Sequence, residues 1–108
     1  MIQFHDSQDP MRKLVTFSLP VFHELVSVVG DFNSWDPMAN PLEIAGDAKT
    51  TSIELEAGAR YQFRYLGESG GWFNDDSLSY YVENDFGALN GCFEVPMEPL
   101  QDAMGAED

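Results

Sequence analysis

Two tryptophans stand beside turn-like sequences rather than inside strand-like ones, and they are the residues whose chemistry is most informative. Trp35 follows the segment GDFNS, and Trp72 follows a glycine-rich stretch. An aromatic ring presented flat on a surface can stack on the apolar face of a pyranose, while neighbouring amide side chains hydrogen-bond its hydroxyl groups. From the residues alone, the alternative is that each indole covers one end of a hydrophobic core.

Catalytic and zinc-binding motifs are not evident in the sequence. His5 and His23 are the two histidines, with no cysteine nearby and no helical i, i+4 spacing for a zinc site. No G-x-S-x-G segment or comparable nucleophile motif occurs. Cys92 is the one cysteine, so it cannot form an intramolecular disulfide. We therefore expect a protein that is not an enzyme and uses no metal or cofactor.

Acidic residues are numerous enough that pairs of them need a specific reason to be considered functional. Asp75 with Asp76, or Glu83 with Asp85, would be the first pairs to test for glycosidic acid/base chemistry, which requires two carboxyl groups across a cleft. Calcium could be considered for Asp75, Asp76, Asn84 and Asp85, but the ordered spacing of an EF-hand loop is missing. We expect these side chains to be solvated or to cap turns.

The charge balance excludes several classes of partner. Lys and Arg number 5 against 19 Asp and Glu, which gives a formal net charge of −14. Such a field repels nucleic acid and anionic membranes but is compatible with an uncharged polymer.

The opening sequence is acidic where a signal peptide is basic, and no apolar stretch reaches the roughly 20 residues of a membrane span. We expect a cytoplasmic location.

Alternating apolar residues predict strands over 13–19, 51–56 and 60–66, and a β-branched run predicts one over 25–29. Shorter strands are predicted at 72–73, 79–82 and 92–95. In the strand over 60–66, Tyr61, Phe63 and Tyr65 should point to one face of the sheet, and Gln62 and Arg64 to the other. Turn signals recur about every 8 to 12 residues, which predicts an all-β, immunoglobulin-like antiparallel β-sandwich of about seven strands.

The 108 residues suit one compact domain. We place this domain at residues 13–95, because the segments on either side are polar and weakly patterned. We expect residues 1–12 to be loosely ordered and residues 96–108 to form an acidic, disordered tail.

Several segments together resemble a known family. They are VTFSLP, VSVVGDFNSWDP, YQFRYL, WFND and FGALNGCFEV, and they span most of residues 13–95. This pattern is similar to the early-set domain at the N-terminus of isoamylases and glycogen-branching enzymes, and to the glycogen-binding domain of the AMP-activated protein kinase β-subunit. Both belong to the family 48 carbohydrate-binding modules. The resemblance is strongest to small bacterial proteins that consist of this domain alone.

The resemblance implies a set of carbohydrate-binding residues. The two stacking tryptophans correspond to Trp35 and Trp72, the sugar-binding asparagine to Asn90, and the apolar finger to Phe86. Gln62 stands where a lysine reaches a sugar oxygen in the kinase-type domain, and a glutamine amide can donate the same hydrogen bond. The implied function is weak, non-catalytic binding of α-1,4-glucan or maltooligosaccharide.

A second reading of the resemblance remains open. Early-set domains in glucan enzymes often pack against a catalytic barrel. The chain would then be a protein-interaction or regulatory domain that has lost glucan binding. A glucan-metabolising enzyme is the partner that this reading implies.

Overall fold

The computed structural model describes residues 1–21 and 24–97 of the chain. This part contains nine strands and one 3₁₀ turn, at Asp31–Asn33. The strands are β1 (Ile2–Asp6), β2 (Arg12–Pro20), β3 (Val26–Gly30), β4 (Glu43–Ala45), β5 (Ala48–Glu56), β6 (Arg60–Gly67), β7 (Trp72–Phe73), β8 (Tyr81–Glu83) and β9 (Leu89–Glu94).

The strands form two sheets, and within each sheet every pair of neighbouring strands is antiparallel. One sheet has the order β1-β2-β5-β4, and the other has the order β3-β6-β9-β8 with β7 paired to β6. The predicted all-β sandwich is confirmed. The described residues contain nine strands rather than the seven or so expected. Two of them were not predicted, because β1 lies among polar residues and β4 is only three residues long.

The core lies between the sheets and is formed by one face of each central strand. Val15 and Phe17 of β2 are fully buried, as are Phe63 and Tyr65 of β6. The rings of Phe17 and Phe63 meet edge to face, with centroids 5.2 Å apart. The predicted alternation along β6 is confirmed, and it leaves the opposite face of that strand free to build a surface site.

The prediction of a loosely ordered segment at residues 1–12 is wrong for β1. This strand pairs with β2 over its full length. Its side chain Phe4 packs toward the core, with its ring centroid 6.1 Å from that of Phe93. Lys13 Nζ lies 3.1 Å from Asp6 Oδ1 and joins the two strands at their far end. The alternation within β1 is only five residues long and was obscured by its polar neighbours.

Two of the sequence predictions fall wholly or mainly outside the described residues. Residues 98–108 belong to the predicted acidic tail, and His23 lies in the gap between residues 21 and 24. Within residues 1–21 and 24–97, no helix has the length and apolar character needed to span a membrane.

Candidate functional site

A cleft of about 680 Å³ lies on the outward face of the β3-β6-β9-β8 sheet. All five residues predicted as a binding set line it, although they are spread over more than fifty positions of the sequence. These are Trp35, Gln62, Trp72, Phe86 and Asn90. The remaining lining residues are Asp31, Arg64, Val82, Glu83, Asn84, Asp85 and Ala88.

Trp35 reaches the cleft through a sharply bent turn at the end of β3. Ser34 and Trp35 both adopt left-handed backbone conformations, with φ of 58° and 59°. The Trp35 N–H donates to the Gly30 carbonyl at 2.9 Å. Gly30 itself allows close approach to β6, because an added Cβ would lie 2.5 Å from the Gln62 carbonyl oxygen. A left-handed backbone is costly for an aromatic residue, so other contacts must hold this turn.

Asn33 supplies several of the contacts that hold the turn. Its Oδ1 accepts from the Gly30 N–H at 3.0 Å, and its Nδ2 donates to the Val28 carbonyl at 3.0 Å and to Asn40 Oδ1 at 2.8 Å. Phe32 packs against the rings of the core. Asn33 and Phe32 therefore anchor the turn and are not among the residues that line the cleft.

Asp31 fixes the orientation of the Trp35 indole. Its Oδ1 accepts from Trp35 Nε1 at 3.1 Å, and its Oδ2 accepts from the backbone N–H of Gln62 at 2.8 Å. One carboxylate thereby joins the turn after β3 to the middle of β6. Since the polar edge of the half-buried indole is held by the protein, a ligand would meet the face of the ring.

Trp72 lies on β7 and is 45% exposed. The guanidinium carbon of Arg64 lies 5.9 Å from the centroid of its ring, which is within the range of a cation–π contact. Arg64 Nε donates to Asn74 Oδ1 at 3.0 Å, and Asn74 Nδ2 donates to the Leu89 carbonyl at 2.9 Å. This chain of contacts braces Trp72 against β6 and β9.

Three amide side chains form a continuous hydrogen-bonded row beside the indoles. Asn84 Nδ2 donates to Asn90 Oδ1 at 3.0 Å, and Asn90 Nδ2 donates to Gln62 Oε1 at 3.1 Å. Asn90 is only 6% exposed, and its amide is engaged at both ends. Asn90 therefore links the Asn84 side chain to that of Gln62.

Phe86 is 94% exposed and stands in the tight turn between β8 and β9. Gly87, in this turn, has a φ of 82°, a conformation that glycine adopts without strain. The backbone N–H groups of Phe86 and Ala88 both donate to Asn84 Oδ1, at 2.9 and 3.1 Å. A ring this exposed contributes little to the core, so the turn presents an apolar surface to whatever enters the cleft.

Three residues that organise the cleft were not predicted from the sequence: Asp31, Arg64 and Asn84. Asp31 stands within the GDFNSW turn, and Arg64 shares the outward face of β6 with Gln62. Both could have been found from the turn motif and from strand alternation. Asn84 was considered only as a calcium ligand. Its position before a glycine-containing turn is a signal for the side-chain to backbone hydrogen bonds that it makes.

The acidic residues considered for catalysis or calcium do not form one site. Asp75 is 3% exposed, and its carboxylate accepts hydrogen bonds from Tyr65, Ser77 and the N-terminal ammonium group. It lies outside the cleft that contains Glu83 and Asp85. No group of three or more His, Cys, Asp or Glu residues in the described ranges could hold a metal ion.

Burial of Asp75 alone would raise the pKa of its carboxyl group. Hydrogen bonds from the N-terminal ammonium and from Ser77 outweigh burial and hold the pKa below its ordinary value. Burial and the nearby Asp75 carboxylate raise the pKa of Tyr65. Asp75 is thus an ionised structural group.

Fold and cleft together define a small antiparallel β-sandwich with an aromatic and amide-lined cleft on one sheet. No family model matches the chain, and no curated protein matches its sequence significantly. The geometry of the cleft is the basis for assigning a function.

Proposed function

We propose that the chain is a non-catalytic module that binds α-1,4-linked glucan of the glycogen or starch type. The observation that carries the proposal is the presence of two tryptophans and a highly exposed phenylalanine around one cleft, next to an amide row. Indole faces suit the apolar faces of glucose rings, and amides suit their hydroxyl groups. The resemblance of the GDFNSWDP and FGALN segments to family 48 modules supports the glucan in particular.

The size of the contact predicts weak binding. If two rings each remove about 60 Å² of apolar surface from water, burial contributes roughly 3 kcal/mol at about 25 cal/mol per Å². A few hydrogen bonds of about 1 kcal/mol each are partly offset by ordering of the sugar chain. The sum corresponds to a dissociation constant on the order of 0.1 to 1 mM for a short oligosaccharide.

Titration with maltoheptaose, followed through the two indole N–H signals by NMR, tests the proposal. Both signals should shift in the native protein, because both indoles line the cleft. Trp35→Ala and Trp72→Ala should each weaken binding at least about tenfold, since each removes one stacking surface. Tyr80→Ala is the matched control, because Tyr80 is 54% exposed but lies outside the cleft.

Absence of any shift with maltoheptaose, in protein whose fold is intact, would contradict glucan binding. That outcome would favour the protein-interaction reading of the same fold. Equal losses in Tyr80→Ala and Trp35→Ala would also contradict the proposal, because they would show that the response does not come from the cleft.

A further inference from the structure

The direction of every hydrogen bond in the amide row is determined at Asn84. The backbone N–H groups of Phe86 and Ala88 both point at one side-chain atom of Asn84. Only the carbonyl oxygen of an amide can accept them, because the NH₂ group is a donor. The Asn84 side chain therefore has one allowed orientation, with Nδ2 directed at Asn90.

This orientation is passed along the row. Asn90 must turn its Oδ1 toward Asn84, so that its Nδ2 faces Gln62 and donates to Oε1. Gln62 then has its Nε2 group left over. Among the described residues, no protein group accepts a hydrogen bond from Gln62 Nε2, and Gln62 lines the cleft.

We propose that Asn84 is a positioning residue that fixes Gln62 as a hydrogen-bond donor toward an oxygen of the bound glucan. The identity of the ligand in this proposal rests on the proposed function. The hydrogen bonds of the amide row do not depend on a bound ligand. Asn84 acts on Gln62 through Asn90, because the amide of Asn84 is itself hydrogen-bonded to Asn90 and to the backbone of the turn.

A donor at this position suits the chemistry of the cleft. A sugar hydroxyl offers one proton and two lone pairs, and ring and glycosidic oxygens offer lone pairs only. The carboxylates of Glu83 and Asp85, which line the same cleft, can only accept. The sugar oxygens therefore need hydrogen-bond donors from other residues of the cleft, and Gln62 Nε2 provides one.

Asn84→Asp should reverse the row with little change in shape. A carboxylate at position 84 still accepts from the turn, but it now also accepts from Asn90. Asn90 then presents Oδ1 to Gln62, and Gln62 presents Oε1 to the cleft. Maltoheptaose affinity should fall about fivefold to tenfold, the effect of one lost hydrogen bond with an unmatched acceptor in its place. Gln62→Glu removes the donor directly and should have a similar effect.

The double variant Asn84→Asp with Asp85→Asn controls for charge. It exchanges two adjacent residues, so composition and the net charge of the cleft are unchanged. Affinity should stay reduced in this variant. Affinity equal to that of the native protein, in either Asn84→Asp or the exchange variant, would overturn the proposal.

Unfolding temperatures test the row without any ligand. Asn84→Asp and Gln62→Glu each leave a consistent set of hydrogen bonds and should unfold close to the native protein. The combination places a carboxylate on both sides of Asn90, which has one donor end and is nearly inaccessible to water. The combined variant should unfold about 5 °C below the sum of the single effects.

This measurement is made in about 0.5 M NaCl, which screens repulsion between the two carboxylates. Additive effects would show that the row does not transmit orientation and would overturn the proposal. If the native protein fails to bind maltoheptaose while the effects on unfolding temperature remain non-additive, glucan binding is contradicted. The conclusion that Asn84 sets the orientation of the amide row is then still supported.

Discussion

Single side chains in the cleft act on more than one structural element. Asp31 is the clearest example, because its two oxygens serve the indole of Trp35 and the backbone of Gln62. An amide in its place could supply one acceptor but would turn an NH₂ group toward a second donor. The orientation of Trp35 therefore depends on a carboxylate at this position.

Asp31→Asn should weaken maltoheptaose binding about threefold to tenfold, because it releases either the indole or the strand from a charge-assisted hydrogen bond. Asp85→Asn removes the same charge from the same cleft, and Asp85 makes no side-chain hydrogen bond in the described part of the chain. Isothermal titration calorimetry on both variants separates the two effects. Equal affinities in the two would show that Asp31 contributes only its charge.

At the scale of elements, β6 connects the core to the cleft. Its buried residues and its cleft residues alternate, and this alternation was readable in YQFRYL. The turn that carries Trp35 was likewise recognisable from GDFNSWDP. Short elements such as β4 and β1 were not recognisable, because three to five residues carry too little periodicity to stand out from polar neighbours.

The amide row could not be predicted from the sequence for a different reason. Gln62 and Asn90 are 28 positions apart, and their contact depends on the packing of β6 against β9. The pairing of those strands, not any local motif, brings the two amides together. Sequence patterns therefore identified the residues of the cleft but not the bonds between them.

Phe4→Ala tests whether β1 is an integral part of the sandwich. Phe4 is half-buried and packs near Phe93, so its loss should lower the free energy of unfolding by about 1 to 3 kcal/mol. Gln3→Ala alters the exposed face of the same strand and should change it by less than about 0.5 kcal/mol. Chemical denaturation of both variants gives the comparison. Equal stabilities would mean that β1 contributes little to the core.

At the scale of the whole molecule, Asp75 joins distant parts of the chain. It receives hydrogen bonds from the N-terminal residue, from Tyr65 in the core and from the loop after β7. Because its pKa in the folded protein is lowered, its ionised form stabilises the fold. This contribution is fully present above the ordinary pKa of about 3.9 and is lost as pH falls through the lower folded value.

Asp75→Asn should therefore unfold at a lower temperature than the native protein at pH 7, by about 4 to 8 °C for each kcal/mol lost. The difference between the two proteins should shrink as the pH falls below about 4, because position 75 is protonated first in the unfolded native sequence and, at still lower pH, in the folded protein. Asp76→Asn is the matched control, since Asp76 is exposed. A difference that stays constant from pH 7 to pH 3 would contradict the role assigned to the ionised group.

The exposed ring of Phe86, together with Trp72, has a consequence for how copies of the protein behave in solution. Adjacent aromatic surfaces that face water favour self-association. Each copy carries a net charge of −14, so two copies repel one another as they approach. An uncharged polysaccharide experiences no such repulsion. The acidity of the chain thus opposes contact between the exposed aromatic surfaces of two copies, whereas it does not oppose the approach of an uncharged molecule.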